Sequence, residues 1–172
     1  MTLKEATERV LLLLDEDAGS AFAARCRARI PMLLNTAQHE AALIAPIVKK
    51  RTEAAVDGTI TLASDVCRVC EITRNGKGVP FKWLGSIVEV GFSGPCELTF
   101  WAYPEVIDKF TPPNHRLEVC AEAAEALIYY AAALCLLPDE PDRYAVLMSL
   151  YTARMQGLCA MPKITVRGRS YV

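Results

Sequence analysis

Residues 117–137 read LEVCAEAAEALIYYAAALCLL, and the helical character of the carboxyl-terminal part of the chain is clearest in this stretch. Its apolar residues recur every three or four positions, the spacing that places them on one face of an α-helix. They are Leu117, Cys120, Ala124, Leu127, Ile128, Ala131, Leu134 and Cys135. The acidic, proline-containing break PDEPD at 138–142 follows, and a second run with the same spacing extends from Tyr144 to Leu158. The carboxyl-terminal part of the chain therefore predicts two consecutive helices.

The amino-terminal zone, residues 2–55, is also helical in period and is rich in Ala, Leu, Glu and Arg. Thr2 and Glu5 have the spacing of a capping box, in which each side chain bonds to the backbone N–H of the other. Ser20 follows an acidic break and predicts the cap of a second helix. Pro31 predicts an interruption there, with the proline in the first turn of a further helix.

The zone between about residues 57 and 104 has a different period. Residues 88–90 and 98–103 alternate, and β-branched and aromatic residues lie between glycine-containing turns. Asn75-Gly76 is a strong signal for a tight hairpin, because that turn needs positive φ at its centre. The pattern predicts a meander of short antiparallel strands.

These zones together predict an α+β protein that is mainly α. A helical bundle spans residues 1–161 as one domain, with the small antiparallel β meander inserted at about 57–104. A carboxyl-terminal tail, residues 162–172, follows.

Composition excludes several classes of protein. The 172 residues carry 19 basic and 20 acidic side chains, a net charge of −1, so no overall field directs the chain to nucleic acid or to an anionic membrane. No apolar run is long enough to cross a bilayer, and the first residues lack the plan of a signal peptide. Seven cysteines without an export signal predict buried thiols in a protein of the cytosol.

The sequence offers little that predicts chemistry. His39 and His115 lie in different zones with no signature of a nucleophile near them, and no enzyme or cofactor is predicted. Cys67-x2-Cys70 is the one metal-like spacing, but a structural zinc site needs four ligands. On a regular strand these two cysteines would point to opposite faces. No metal site is therefore predicted.

Two groups of residues are predicted to contact partners. The first consists of apolar side chains near the hairpin and in the loop before Pro112; its members are Phe81, Trp83, Val106, Ile107 and Phe110. The second is the tail, where cationic and apolar residues alternate as they do in strands that add to a partner. Its predicted contact residues are Lys163, Ile164, Val166, Arg167, Arg169 and Tyr171.

Three segments resemble the head–tail connector proteins of tailed bacteriophages, the adaptors beneath the portal. They are TLKEATERVL at 2–11, IPMLLNTAQHEAALIAPI at 30–47, and residues 117–137 with the acidic break and the helix from Tyr144. The resemblance covers most of the chain as a pattern of segments.

This resemblance implies a non-enzymatic protein of the virion neck that is made in the host cytoplasm. About a dozen copies form a ring between the portal and the tail-side neck proteins, and DNA can pass through the ring without sequence-specific contacts. The β insertion and the tail are the usual carriers of neighbour contacts in such proteins.

Two alternatives stay open at this point. One is a small zinc- or thiol-dependent regulatory domain that uses Cys67 and Cys70. The other is a different virion component, such as a tail-completion protein.

Overall fold

The computed structural model describes residues 1–15, 19–137 and 140–159, and there it contains helices and antiparallel sheets. The α+β class is thereby confirmed. The elements are α1 Leu3–Leu13, α2 Ala21–Ile44, β1 Ile47–Ala55, β2 Thr59–Thr61, β3 Val66–Arg74, β4 Lys77–Gly78, β5 Phe81–Leu84, β6 Ile87–Val90, β7 Gly94–Ala102, α3 Ala121–Leu136 and α4 Pro141–Cys159. They divide into a helical unit, Met1–Ala45 with the described residues from Pro104 onward, and a β unit, Pro46–Tyr103.

The first helix begins with the predicted capping box. The Thr2 hydroxyl accepts the Glu5 N–H at 3.2 Å, and the Glu5 carboxylate accepts the Thr2 N–H at 2.8 Å. These bonds satisfy donors that the first turn of a helix otherwise leaves without partners. The spacing of two residues therefore predicted this helix start correctly.

The second helix differs from the prediction. Ser20 caps it as predicted, since its hydroxyl accepts the Ala23 N–H at 2.9 Å. However, α2 continues without a break through Pro31, so the predicted interruption is wrong. The proline removes one backbone hydrogen bond, but both halves of the helix bury the same face, with Ile30 and Leu34 fully buried on either side of it. Burial of a continuous apolar face outweighs that local cost.

The third helix lies at the centre of the helical unit. It contacts α1, α2 and α4, and ten of its residues are buried. Alanines make up much of it, and their small side chains let neighbouring helices approach closely. Side chains from all four helices form one core with Ile107 and Leu117.

The β unit contains two antiparallel sheets with strand orders β1-β7-β3-β4 and β2-β6-β5. The predicted meander is wrong, because β7 lies between β1 and β3 and pairs with both. The strands also begin at Ile47 and not near residue 57. The composition of β1, with Lys49, Arg51 and Glu53, resembles that of the preceding helix, so composition does not mark the start of the strands at Ile47.

Three charged residues of β1, Lys49, Arg51 and Glu53, are half-buried in the β unit. Arg51 pairs with Asp65 and lies 3.6 Å from Glu53, and its guanidinium is 5.0 Å from the centre of the Phe100 ring. Inward-facing charges of this kind discourage edge-to-edge strand pairing. The buried apolar residues of this unit are Ala55, Ile60, Val69, Ile72, Val88, Val90, Cys96, Leu98, Phe100 and Ala102.

The hairpin predicted at Asn75-Gly76 is present between β3 and β4. Arg74 pairs with Lys77, and the two turn residues have φ of 52° and 73°. Positive φ at both central positions is what a two-residue turn of this type requires.

Among the described residues, no helix combines the length and the apolar character needed to cross a membrane.

Candidate interaction surface

The loop between the β unit and α3 is anchored on α2. The Gln38 side-chain amide donates to the Glu105 carbonyl oxygen at 2.6 Å, and the Asn35 side-chain oxygen accepts the Ile107 N–H at 2.8 Å. Gln38 is fully buried, and the two side chains lie one helical turn apart. The loop backbone is therefore held to the helix at two successive points.

The far end of the same loop is held by the start of α1. The Leu3 N–H donates to the His115 carbonyl at 2.8 Å and the Lys4 N–H donates to the Pro113 carbonyl at 2.9 Å. These loop carbonyls satisfy free N–H groups of the first helical turn. The loop from Pro104 to Leu117 is consequently fixed at both ends within the helical unit.

A tight turn shapes the middle of the loop. The Asp108 carboxylate accepts the Phe110 N–H at 2.8 Å and the Thr111 hydroxyl at 3.1 Å. The Thr111 hydroxyl oxygen in turn accepts the Asp108 N–H at 2.9 Å. The backbone bond from Phe110 is the main reason why the pKa of Asp108 lies below its usual value. These bonds order the backbone of the turn that carries Phe110.

Two large apolar side chains project from this anchored loop. Val106 is 69% exposed and Phe110 is 78% exposed, and Lys109 lies over the Phe110 ring at 4.8 Å from its centre. We call Val106 and Phe110 the knob. An ordered loop that presents two exposed apolar side chains is a candidate protein-binding surface.

Ile107 does not belong to this surface. It is only 2% exposed and is part of the core of the helical unit. The prediction that it contacts a partner is therefore wrong, because consecutive residues on an extended segment point to opposite sides. Here Ile107 points inward and Val106 points outward.

The residues predicted near the hairpin have mixed environments. Phe81 is half-buried and packs against the core of the β unit. Trp83 is 42% exposed, and its indole N–H donates to the Gly85 carbonyl at 2.6 Å. Only Trp83 of this pair offers a substantial exposed surface.

The second predicted contact group, in the tail, lies outside the described residues. Its members are Lys163, Ile164, Val166, Arg167, Arg169 and Tyr171.

Sequence reasoning missed a second apolar surface, on α4. The core face of this helix contains Leu147, Tyr151, Met155 and Leu158. Val146 and Leu150 are nevertheless 61% and 44% exposed. With the exposed small residues Ala153 and Gly157 they recur every three or four positions, and we call these four residues the outer stripe. The sequence does contain a signal for this surface. The four residues follow a helical spacing of their own, on a different side of the helix from the core face.

The cysteines of β3 occupy irregular positions in their strand. The pairing of β3 with β7 shifts register at Cys67 and again at Cys70, so the simple alternation that predicted opposite faces does not hold. Burial raises the pKa of the Cys70 thiol, and the neighbouring Cys67 adds to the increase. Among the described residues, no group of three or more His, Cys, Asp or Glu side chains is arranged to hold a metal ion.

Two further thiols lie inside the helical unit. Cys26 of α2 and Cys135 of α3 are both buried. Burial, with the Cys26 thiol as the next cause, raises the pKa of Cys135 to about 12. A thiol with such a pKa is almost fully protonated at neutral pH and is a poor nucleophile. These two cysteines act as core residues.

No protein-family model matches the sequence, and no curated protein matches it.

Proposed function

We propose that the chain is a head–tail connector of a tailed phage or prophage, a structural protein that joins the portal to the tail at the virion neck. Its helices act as a bundle that carries the β unit, and about a dozen copies form the ring. Its partners are the portal protein and the tail-side neck proteins, and DNA passes through the ring. No catalytic role is proposed.

The knob is the observation that carries the proposal. Val106 and Phe110 are held out of the helical unit by a loop that is hydrogen-bonded to α2 and to α1. An apolar contact that is already ordered before binding avoids part of the entropy cost of association. Aromatic anchors of this kind contribute a large share of the affinity of protein interfaces.

The described residues also support an interaction role in preference to catalysis. Burial raises the pKa of the Cys96 and Cys135 thiols, which is opposite to the shift that activates a cysteine nucleophile. Balanced charge fits a protein that assembles with other proteins. In a ring, many weak and identical contacts act together, so a chain that is monomeric alone can assemble on its portal.

Binding to the portal protein encoded in the same genome tests this role. The variant Val106→Ser with Phe110→Ser loses both apolar side chains of the knob, and we expect its affinity for the portal assembly to fall at least tenfold. The matched control is Val56→Ser, since Val56 is 65% exposed in the β unit. Biolayer interferometry with immobilised portal measures all three proteins. Equal binding by the knob variant and the control would contradict the assigned role of the knob.

The two alternatives are separated from the connector role by different measurements. A tail-completion protein would bind a tail-side component and not the portal, so the same assay with purified tail proteins separates the two. A zinc-dependent domain would contain stoichiometric metal, which elemental analysis of the purified chain detects. Cys67 and Cys70 supply two thiols, and a structural zinc site needs two further ligands.

A further inference from the structure

Two free thiols meet inside the helical unit. Cys26 of α2 and Cys135 of α3 are 2% and 1% exposed, and both belong to the core that the four helices form. The Cys26 thiol lies within hydrogen-bonding reach of the Cys135 thiol, and after burial it is the main cause of the raised pKa of Cys135. Two cysteine side chains therefore lie side by side where α2 packs on α3.

A second contact joins the same parts of these two helices. The Arg29 guanidinium donates to the Leu134 carbonyl oxygen at 3.3 Å. Arg29 lies about one helical turn after Cys26, and Leu134 directly precedes Cys135. The end of α3 is therefore held beside the first part of α2 by a bond that does not involve the thiols.

Small side chains near both cysteines allow the two helices to approach closely. Ala23 lies about one turn before Cys26, while Ala131 and Ala132 lie about one turn before Cys135, and all three alanines are fully buried. The distance between packed helices depends on the side chains at the contact, and small ones reduce it. A disulfide requires such proximity, because its two Cα atoms lie about 4.4–6.8 Å apart.

Other cysteines of the chain have different surroundings. The Cys70 thiol donates to the Arg68 carbonyl oxygen at 3.8 Å, and the Cys96 thiol donates to the Glu53 carbonyl oxygen at 3.6 Å. Cys120 is exposed at the cap of α3. Its thiol is open to bonds between chains, whereas the Cys26 thiol already lies beside a partner within the same chain.

We propose that Cys26 and Cys135 are a modification site, at which a peroxide joins the two thiols in a disulfide that crosslinks α2 to α3. One thiol, as its thiolate, attacks an oxygen of hydrogen peroxide; the O–O bond breaks, a sulfenic acid forms and one water leaves with the thiol proton. The other thiol then attacks the sulfenic sulfur, the S–S bond forms and a second water leaves. One peroxide is thus reduced to two waters while two thiols are oxidised.

This disulfide stabilises the helical unit. It closes a loop of about a hundred residues and so restricts the unfolded chain. For a chain of this length, such a restriction raises the melting temperature by about 5–15 °C. The reaction is slow, because the thiolate is the reactive form and both thiols are shielded from solvent. We expect the bond to form over minutes to hours and not within seconds.

Oxidation of the purified chain with hydrogen peroxide tests this site. The starting protein is Cys120→Ser, because Cys120 and Cys135 share one tryptic peptide, residues 117–143. After the remaining thiols are blocked and the protein is digested without reduction, we expect mass spectrometry to find this peptide linked to the dipeptide Cys26-Arg27. Circular dichroism should show a melting temperature about 5–15 °C above that of the reduced protein, and dithiothreitol should reverse the increase.

Cys26→Ala and Cys135→Ala, each made in the Cys120→Ser protein, are the matched controls. Neither can form the bond, so peroxide should not raise their melting temperatures. Two controls are used so that one remains if the other does not fold, which circular dichroism of the reduced proteins shows. Three results would overturn the proposal: a folded protein without the linked peptide after overnight oxidation, a linked protein that melts no higher than the reduced one, or an equal increase in a control.

This modification site and the proposed function can fail separately. The disulfide is tested on the purified chain and requires no portal. Only its timing rests on the connector role, since thiols stay reduced in the host cytosol and the bond forms once the virion is released into an oxidising medium. A disulfide in a chain that does not bind the portal retains the site and rejects the function. Portal binding by a chain that forms no disulfide retains the function and rejects the site.

Discussion

The Gln38 side chain is fully buried in α2, and its Oε1 atom has no hydrogen-bond partner among the described residues. Its amide nitrogen bonds to the Glu105 carbonyl, and Asn35 of the same helix binds the Ile107 N–H. The first part of the loop, around Glu105 and Ile107, is thus held by two polar side chains of one helix. The sequence shows both residues, but nothing in a helical period indicates that an amide will be buried beneath a distant loop.

Gln38→Ala should lower the free energy of unfolding by about 1–3 kcal/mol, because it leaves the Glu105 carbonyl without its partner and removes buried side-chain volume. Urea denaturation followed by circular dichroism measures this change. Thr36→Ala is the control, since Thr36 is exposed on the same helix, and we expect a change within about 0.5 kcal/mol. Equal values for the two variants would show that Gln38 does not anchor the loop.

Cys135 makes a prediction about alkaline pH. Its pKa is raised from 9.0 to about 12, chiefly by burial, so above pH 9 the unfolded chain releases a proton that the folded chain retains. The stabilisation is complete below pH 9 and is lost between pH 9 and 12, at about 1.4 kcal/mol per pH unit from this group. The raised pKa of Tyr151, also chiefly due to burial, adds to this loss at higher pH.

The variant Cys135→Ala isolates this effect. Its free energy of unfolding should fall less steeply than that of the wild type between pH 9 and 11, when both are measured by urea denaturation with a reducing agent. Parallel curves would mean that the Cys135 thiol titrates equally in the folded and unfolded chain.

For single elements, the features that depend on neighbouring residues were predicted correctly. The features that depend on distant parts of the chain were not. The capping box of α1, the Ser20 cap and the Asn75-Gly76 hairpin depend on neighbouring residues, and the sequence predicted all three correctly. The continuity of α2 through Pro31 depends on a core formed by distant helices. The strand β1 depends on pairing with β7, which lies some fifty residues further along the chain.

Pro31→Ala should raise the free energy of unfolding by about 1–3 kcal/mol, because alanine restores a backbone hydrogen bond inside α2 and has a much higher helix propensity. Pro141→Ala is the matched control. Pro141 is the first residue of α4, where a proline costs nothing because that N–H has no helical acceptor. Thermal or urea denaturation compares the two. A destabilised Pro31→Ala variant would indicate that the core requires the local geometry of the proline.

For the whole molecule, the sequence predicted the α+β class and the position of an inserted β region in outline. It did not predict how the sheets are ordered, because β7 pairs with both β1 and β3 across long stretches of chain. Of the predicted surface, Val106, Phe110 and Trp83 are exposed, whereas Ile107 is in the core. Alternation along a loop indicates that neighbours point to different sides but does not indicate which side faces inward.

The proposed connector function requires that the chain assembles on a portal. Light scattering coupled to size-exclusion chromatography, with the chain alone and mixed with the portal of the same genome, measures this assembly. We expect a monomer at micromolar concentration and a complex with one copy of the chain per portal subunit, about a dozen in all. A ring of the chain alone at micromolar concentration would contradict the expected dependence on the portal. No complex with the portal would contradict the connector function itself.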